Sequence, residues 1–280
     1  MSALGLRRVK NEDNLFANGV NKPMYSNEPF KHSSSSNDRI NVFAVCDGMG
    51  GESHGEVAAN IAVDHLKNLV SNLGWIDHYS NEKVVEVIQG YVEIANRKIC
   101  DFMKDNNTSQ MGTTLAGVVI LDNEATIFGL GDSRIYLLRN EKLIQVSKDH
   151  THAQKLLNIG VITEDELLTH PSRNKLAMHL GIPVNEGIIE ADIFDVIEMI
   201  DGDRILICSD GITEHLRDEN IQKVLMNENS TYSCADKLIS ETYERGATDN
   251  TSCIVIDVNT KNHVKNLASR IEHFVKGRNR

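Results

Sequence analysis

The chain reads as an α+β protein, and three stretches carry that prediction. Residues 113–121, 125–130 and 134–139 are apolar, β-branched runs punctuated by Asp122-Asn123 and Asn140-Glu141, the signature of an antiparallel meander. Ahead of them, Val57, Ala58, Ile61, Ala62, Leu66, Leu69, Val70 and Leu73 recur at helical spacing. Val84, Val85, Ile88, Val92, Ala95, Ile99 and Phe102 do the same, so two amphipathic helices precede the meander.

Taken in order, the first strand starts within Asn11-Glu12-Asp13-Asn14-Leu15-Phe16, and Ser33 to Ser36 mark a flexible loop. Residues 42–46 are a continuous apolar run, consistent with a buried strand. The two helices and the meander follow. Residues 150–180 break the pattern. They are polar and short-helical, carry a capping-box signal at Thr163-Glu164-Asp165-Glu166, and read as an inserted subdomain. Strands resume at 188–194 and 204–208, and Asp201-Gly202-Asp203 between them reads as a hairpin turn without chemistry. Helices are expected over 218–226 and 233–243, and a last strand over 252–258. The expected domain spans 1–258, with a basic tail over 259–280. There Val264, Leu267, Ala268, Ile271, Phe274 and Val275 suggest an amphipathic helix packed on the domain, ahead of a membrane-surface or acidic-partner role.

Composition narrows the function. A chain of 280 residues with 40% hydrophobic content can bury a real core. A net charge of −11 argues against nucleic acid, whose phosphates need a basic face. It leaves phosphorylated substrates open, because bound metal ions reverse the local field. No apolar stretch approaches membrane-spanning length, and the first residues lack the apolar core of a signal peptide. The 5 cysteines show no Cys-x-x-Cys spacing. Cys46, Cys208 and Cys253 lie inside apolar runs and read as small buried hydrophobes. Together these predict a cytoplasmic protein in a reducing compartment. No heptad pattern demands a dimer, so a monomer is expected.

The most informative residues are acidic ones at element ends. Asp47-Gly48 closes the run 42–46, and Asp210-Gly211 closes 204–208. Glu12 and Asp13 start the first strand, Asp132 follows Gly129-Leu130-Gly131, and Asp249 precedes the last strand. Gathered in one place, such carboxylates repel one another unless cations neutralise them. Oxygen-only ligands select hard ions such as Mg²⁺ or Mn²⁺. Two such ions can deliver hydroxide to phosphorus.

Six segments jointly resemble the metal-dependent Ser/Thr protein phosphatases of the PPM (PP2C-type) family in their bacterial form. They are Arg8-Val9-Lys10-Asn11-Glu12-Asp13, Asp47-Gly48-Met49-Gly50-Gly51, Met111-Gly112-Thr113-Thr114, Gly131-Asp132-Ser133-Arg134, Ser209-Asp210-Gly211 and Asp249-Asn250. The resemblance implies a four-layer α-β-β-α sandwich with two central antiparallel β-sheets, and makes 150–180 a flap beside the active site. It implies two Mn²⁺ or Mg²⁺ ions, with a looser third in many members. Asp47 would bridge the pair. Glu12 and the Gly48 carbonyl would serve one ion, Asp210 and Asp249 the other, and Asp132 with Asp210 the third. Asp13 would orient metal-bound water, and Arg8 would hold the substrate phosphoryl group. A bridging hydroxide would then attack phosphorus in line, on phosphoproteins that a Ser/Thr kinase supplies.

Met49 departs from the eukaryotic relatives, many of which place a histidine there as a proposed general acid. Metal-bound water is the substitute. His54 reads as part of a surface turn. His150-Thr151-His152 has zinc-like spacing but no matching partner, and reads as flap surface. Gly129-x-Gly131 is no dinucleotide fingerprint, and no Gly-x-x-x-x-Gly-Lys loop is present. The insert argues against relatives that act on anti-sigma regulators, which often lack it. A pseudophosphatase that only binds phosphoproteins is the competing reading from another class. Intact acidic residues at every matched position weigh against it.

Overall fold

The structure, a computed structural model, describes residues 1–50, 54–75, 80–108 and 110–259. Gly51 and the predicted tail helix over 261–280 lie outside the described residues.

The chain opens with β1 (Ser2–Ala3), the hairpin β2 (Asn14–Ala17) and β3 (Val20–Asn21), then β4 (Ile40–Cys46) and β5 (Gly48–Met49). The predicted helix pair follows as α1 (Gly55–Gly74) and α2 (Asn81–Asp105). Next come β6 (Gly112–Thr113), β7 (Leu115–Leu121), β8 (Glu124–Leu130), β9 (Arg134–Arg139) and β10 (Lys142–Gln145). The insert holds two short helices, α3 (His152–Asn158) and α4 (Glu164–Leu167). The rest is β11 (Asp192–Glu198), β12 (Arg204–Cys208), α5 (Asp210–Thr213), α6 (Asp218–Asn227), α7 (Thr231–Glu244) and β13 (Thr251–Asp257).

These strands form two antiparallel sheets, ordered β1-β13-β12-β9-β10 and β11-β8-β7-β4-β2-β3. Between them lies one apolar layer: Leu15, Val45, Val118 and Ile127 from one sheet, and Ile135, Leu137, Ile205, Ile207 and Ile254 from the other. Strand side chains alternate faces. So Val42, Ala44 and Cys46 turn outward instead, onto Ala58, Ala62, Leu66, Ile88, Val92 and Ile99 of α1 and α2. Leu206, Cys208 and Cys253 likewise pack on Ile221, Leu225 and Leu238 of α6 and α7. The result is the expected α-β-β-α sandwich.

Two connections differ from the sequence reading. β7 and β8 do form a hairpin, but β9 leaves for the other sheet, where it pairs with β12 and β10. Gly131 makes that exit at φ 102, a conformation that glycine adopts freely. The apolar runs on either side look alike because each is buried on both faces, so periodicity does not reveal the change of sheet. Asp201-Gly202-Asp203 is a turn but no hairpin, since β11 and β12 belong to different sheets. Asp203 is buried there and receives both Nε and Nη2 of Arg139. The strand expected over 188–194 sits later, at Asp192–Glu198. Gln89 holds the backbone N–H and C=O of Ala191 with its side-chain amide, which takes the place of ladder bonds.

Candidate active site

Asp47 and Asp210 extend the central strands β4 and β12, one from each sheet, and their carboxyl groups lie close enough for the charge of Asp210 to act on Asp47. The Asp47 backbone is clamped from three directions. Its N–H donates to Thr114 Oγ1 at 2.9 Å, and its carbonyl accepts from Thr114 N–H and Thr113 Oγ1, each at 2.9 Å. A Cβ on Gly48 would lie 2.2 Å from the Gly55 carbonyl oxygen and 2.6 Å from that of Glu12. Only glycine allows this approach, which stacks the Glu12 backbone, β5 and the start of α1 together. Glu12 Oε1 itself packs onto Gly55.

The second Asp-Gly step is set differently. Asp210 opens α5, and a Cβ on Gly211 would meet the Asn250 carbonyl at 1.9 Å. Asn250, buried beside Asp249, accepts the Glu12 N–H at 2.8 Å. Its amide donates to the carbonyls of Leu4 and Lys10. This one side chain therefore carries the N-terminal segment onto the strand ends. The Asp249-Asn250 motif points to the carboxylate; the structural role of the amide carries no signal in the sequence.

Asp13 is buried behind the cluster and accepts Ser209 Oγ at 2.9 Å. Lys22, almost fully buried, donates to the Asn11 carbonyl at 3.0 Å. Neither Ser209 nor Lys22 carried a sequence signal for this role. Arg8 donates to Asp249 at 2.5 Å and remains half exposed. It can therefore turn to a phosphoryl oxygen at small cost, since a pair this exposed is worth little.

The electrostatics match a site built for cations. Burial, then the charges of Asp13, Asp210, Asp132 and Asp249, pushes Asp47 well above the usual carboxylate range. Burial, then Asp132, does the same to Asp210. Burial, then Asp149, lifts Asp132 to about 7, and burial lifts Asp13 to about 6. Glu12 is raised by burial and by Glu56. Asp13 Oδ1 and Asp210 Oδ1 are buried with no hydrogen-bond partner. These orphaned oxygens and mutually opposed charges fit hard divalent ions, which would satisfy both. As placed, no three His, Cys, Asp or Glu side chains among the described residues close into a cage around one point. The cluster is convergent but open.

Two histidines differ from their sequence reading. His150 is buried, not on the flap surface. Its Nδ1 accepts the Gly131 N–H at 3.2 Å, so Nε2 carries the proton toward Asp192 at 3.0 Å. The ring thus pins the turn that presents Asp132. His54 is the N-cap residue of α1, with its ring against Phe102 and Nδ1 buried without a partner, rather than part of a surface turn. Residues of the insert face Asp132 and Asp210. A cavity of about 100 Å³ between them is lined by Asp132, Asp210, Glu214, Leu168, Arg173 and Asn174.

Comparison with known proteins agrees with this geometry. The profile described as Protein phosphatase 2C matches residues 30–240. The serine/threonine phosphatase stp of Listeria monocytogenes is 29% identical over 256 residues, covering 90% of this chain and 92% of its own. Protein phosphatase PhpP of Streptococcus pneumoniae is 30% identical over 220 residues, 78% of this chain and 86% of its own. The catalytic domain of the serine threonine protein phosphatase PstP, solved in complex with two manganese ions, superposes with a TM-score of 0.70 at 29% identity. That match covers 92% of this chain and 96% of the crystallised catalytic domain. The chain belongs to the protein phosphatase 2C family. Its enzyme class is accordingly that of a phosphoprotein phosphatase.

Proposed function

We propose that the chain removes phosphate from phosphoserine and phosphothreonine in proteins with two Mn²⁺ or Mg²⁺ ions, opposing a Ser/Thr kinase. The observation that carries this is the meeting of Asp47 and Asp210 from opposite sheets, with orphaned carboxylate oxygens around them. Asp47 would contact both ions, Glu12 and the Gly48 carbonyl one of them, and Asp210 with Asp249 the other. Asp132 would join Asp210 at a looser third site. When bound, such ions would activate water for hydrolysis of the phosphate ester.

The protein's own residues do the remaining work. Arg8 leaves Asp249 and takes phosphoryl oxygens with its planar fork. Asp13, held by Ser209 Oγ, accepts a hydrogen bond from water in the cleft and fixes its orientation. With Met49 beside the centre, the departing alkoxide takes its proton from solvent in the cleft. Among the described residues no helix is long and apolar enough to cross a membrane, which is compatible with a monomer working in the cytoplasm.

The test is hydrolysis of a phosphothreonine peptide and p-nitrophenyl phosphate with and without Mn²⁺, in wild type and Asp210→Asn. Turnover that needs Mn²⁺ and disappears in the variant is expected. Full wild-type activity in EDTA would exclude the metal mechanism. A protein that hydrolyses neither substrate and binds no Mn²⁺ would favour the binding-only reading; one that binds Mn²⁺ yet hydrolyses neither would point to a narrow small-molecule or single-protein substrate.

A further inference from the structure

On the Met49 side of the centre the described residues enclose a larger cavity, of about 330 Å³. Its walls include Met49, Gly50, Met111, His179, Ile182 and Pro183. It begins one residue beyond Gly48. Gly48 and Met49 of β5 pair with Thr113 and Gly112 of β6, and Thr113 in turn bridges to Leu180. The strands that hold Asp47 in place thus also build this cavity.

Its chemistry is unlike that of the flap-side cavity. Met49, Met111, Ile182 and Pro183 give it a thioether and aliphatic side, while Gln110 and Glu186, the one carboxylate in the lining, are exposed. His179 supplies the inner polar group. Its Nδ1 stands 2.8 Å from the Leu180 carbonyl oxygen. A carbonyl only accepts, so Nδ1 carries the proton and Nε2 of the neutral ring keeps a lone pair. Burial lowers the His179 pKa, which favours that neutral ring. Gly112 lets the ring approach. A Cβ there would lie 2.6 Å from His179 Nδ1 and 3.0 Å from Met49 Cε. The imidazole and the thioether therefore flank the same bare stretch of backbone. A neutral imidazole with its proton committed to a carbonyl is a poor acid for the leaving alkoxide, but a good acceptor.

We propose that this cavity is a specificity subsite. It takes one large apolar side chain of the phosphoprotein, close in sequence to the phosphorylated residue, while His179 Nε2 accepts a substrate backbone N–H. The proposal rests on the phosphatase reading above. An extended peptide advances about 3.3 Å per residue, and Met49 lies two residues beyond Asp47 in β5, so a side chain close in sequence to a phosphoresidue at Asp47 can reach it. A cavity of this volume sits at the low end for ligand pockets, at about 300 Å³, which suits one side chain rather than a cofactor.

Phosphothreonine peptides carrying Leu or Asp at each flanking position test this, with p-nitrophenyl phosphate as the small substrate. At one position Leu should exceed Asp about tenfold in kcat/KM, the scale of a filled apolar pocket. Ile182→Trp, which fills the cavity, should remove that preference through KM and leave p-nitrophenyl phosphate turnover unchanged. His179→Phe keeps the bulk and loses the lone pair. It should lower kcat/KM for every peptide by a few-fold and spare the small substrate. Thermal melts establish that both variants fold, and either variant suffices if the other does not. A flat peptide profile with normal p-nitrophenyl phosphate turnover overturns the subsite alone. So does equal loss on peptide and small substrate in a folded variant. A wild type inactive on all substrates overturns the phosphatase reading beneath it.

Discussion

The two Asp-Gly steps use the same dipeptide to different ends. Asp47-Gly48 leads from one strand into another; the hydroxyls of Thr113 and Thr114 hold the Asp47 backbone, and Asp13 and Asp210 are the first charges on its carboxyl group. Asp210-Gly211 leads into a helix, with Asp132, Glu214 and Asp249 as its charged neighbours. The first is a post fixed through its backbone, with its carboxyl group among other carboxylates. The second stands in a field that the flap side shapes. Sequence alone gives both the same signature; what distinguishes them is which segment crosses the strand end.

The sharpest way to break the comparison is Asp47→Asn. If Asp47 bridges both ions, the change removes several kcal/mol of transition-state stabilisation, about a thousandfold or more in kcat. A near-normal kcat would sink that role. Next come the glycines. Gly48→Ala and Gly211→Ala each drive a methyl group into a carbonyl and should cost about 3 kcal/mol in urea unfolding. A loss under about 0.5 kcal/mol, the range of an ordinary surface change, would mean that the backbone at that strand end yields. Arg8→Ala should raise KM for phosphopeptides about tenfold, the worth of a charged hydrogen bond, with kcat little changed. An unchanged KM would move the phosphate site elsewhere. Asp132→Asn should shift the Mn²⁺ concentration that turnover requires while calorimetry still finds the tighter ions bound. Loss of all binding would merge Asp132 with the main pair. The smallest effect is the control: Gly90 in α2 meets nothing within 4 Å, so Gly90→Ala should stabilise by about 0.5–1 kcal/mol and leave kcat alone.

Much of this was legible beforehand where local chemistry decides the outcome. The two helices, the capping box at Thr163, and the strand-end positions of Asp47 and Asp210 follow from spacing and turn residues. Sheet membership did not. It turns on a single positive φ at Gly131 and on whether Asp201-Gly202-Asp203 returns to the same sheet or crosses. His150 misled for a related reason. Its partners, Gly131 and Asp192, are remote in sequence, so spacing held no trace of them. Asn250 and Ser209 stand inside matched motifs and Lys22 in none, but their bonds to remote backbone groups and to Asp13 leave no trace in spacing.

The neck of the insert has a consequence for how such proteins diversify. Thr151 bridges to Leu176, His150 and Ala177 share a backbone hydrogen bond, and His152 takes the Lys175 carbonyl. The loop is therefore tied off where it leaves the sandwich. A closed loop tolerates changes in length at small entropic cost, because closure entropy grows only logarithmically. The segment beyond the tie can therefore change length at small entropic cost to the sandwich. Lineages could refit it for new clients while the acidic strand ends beneath kept their register.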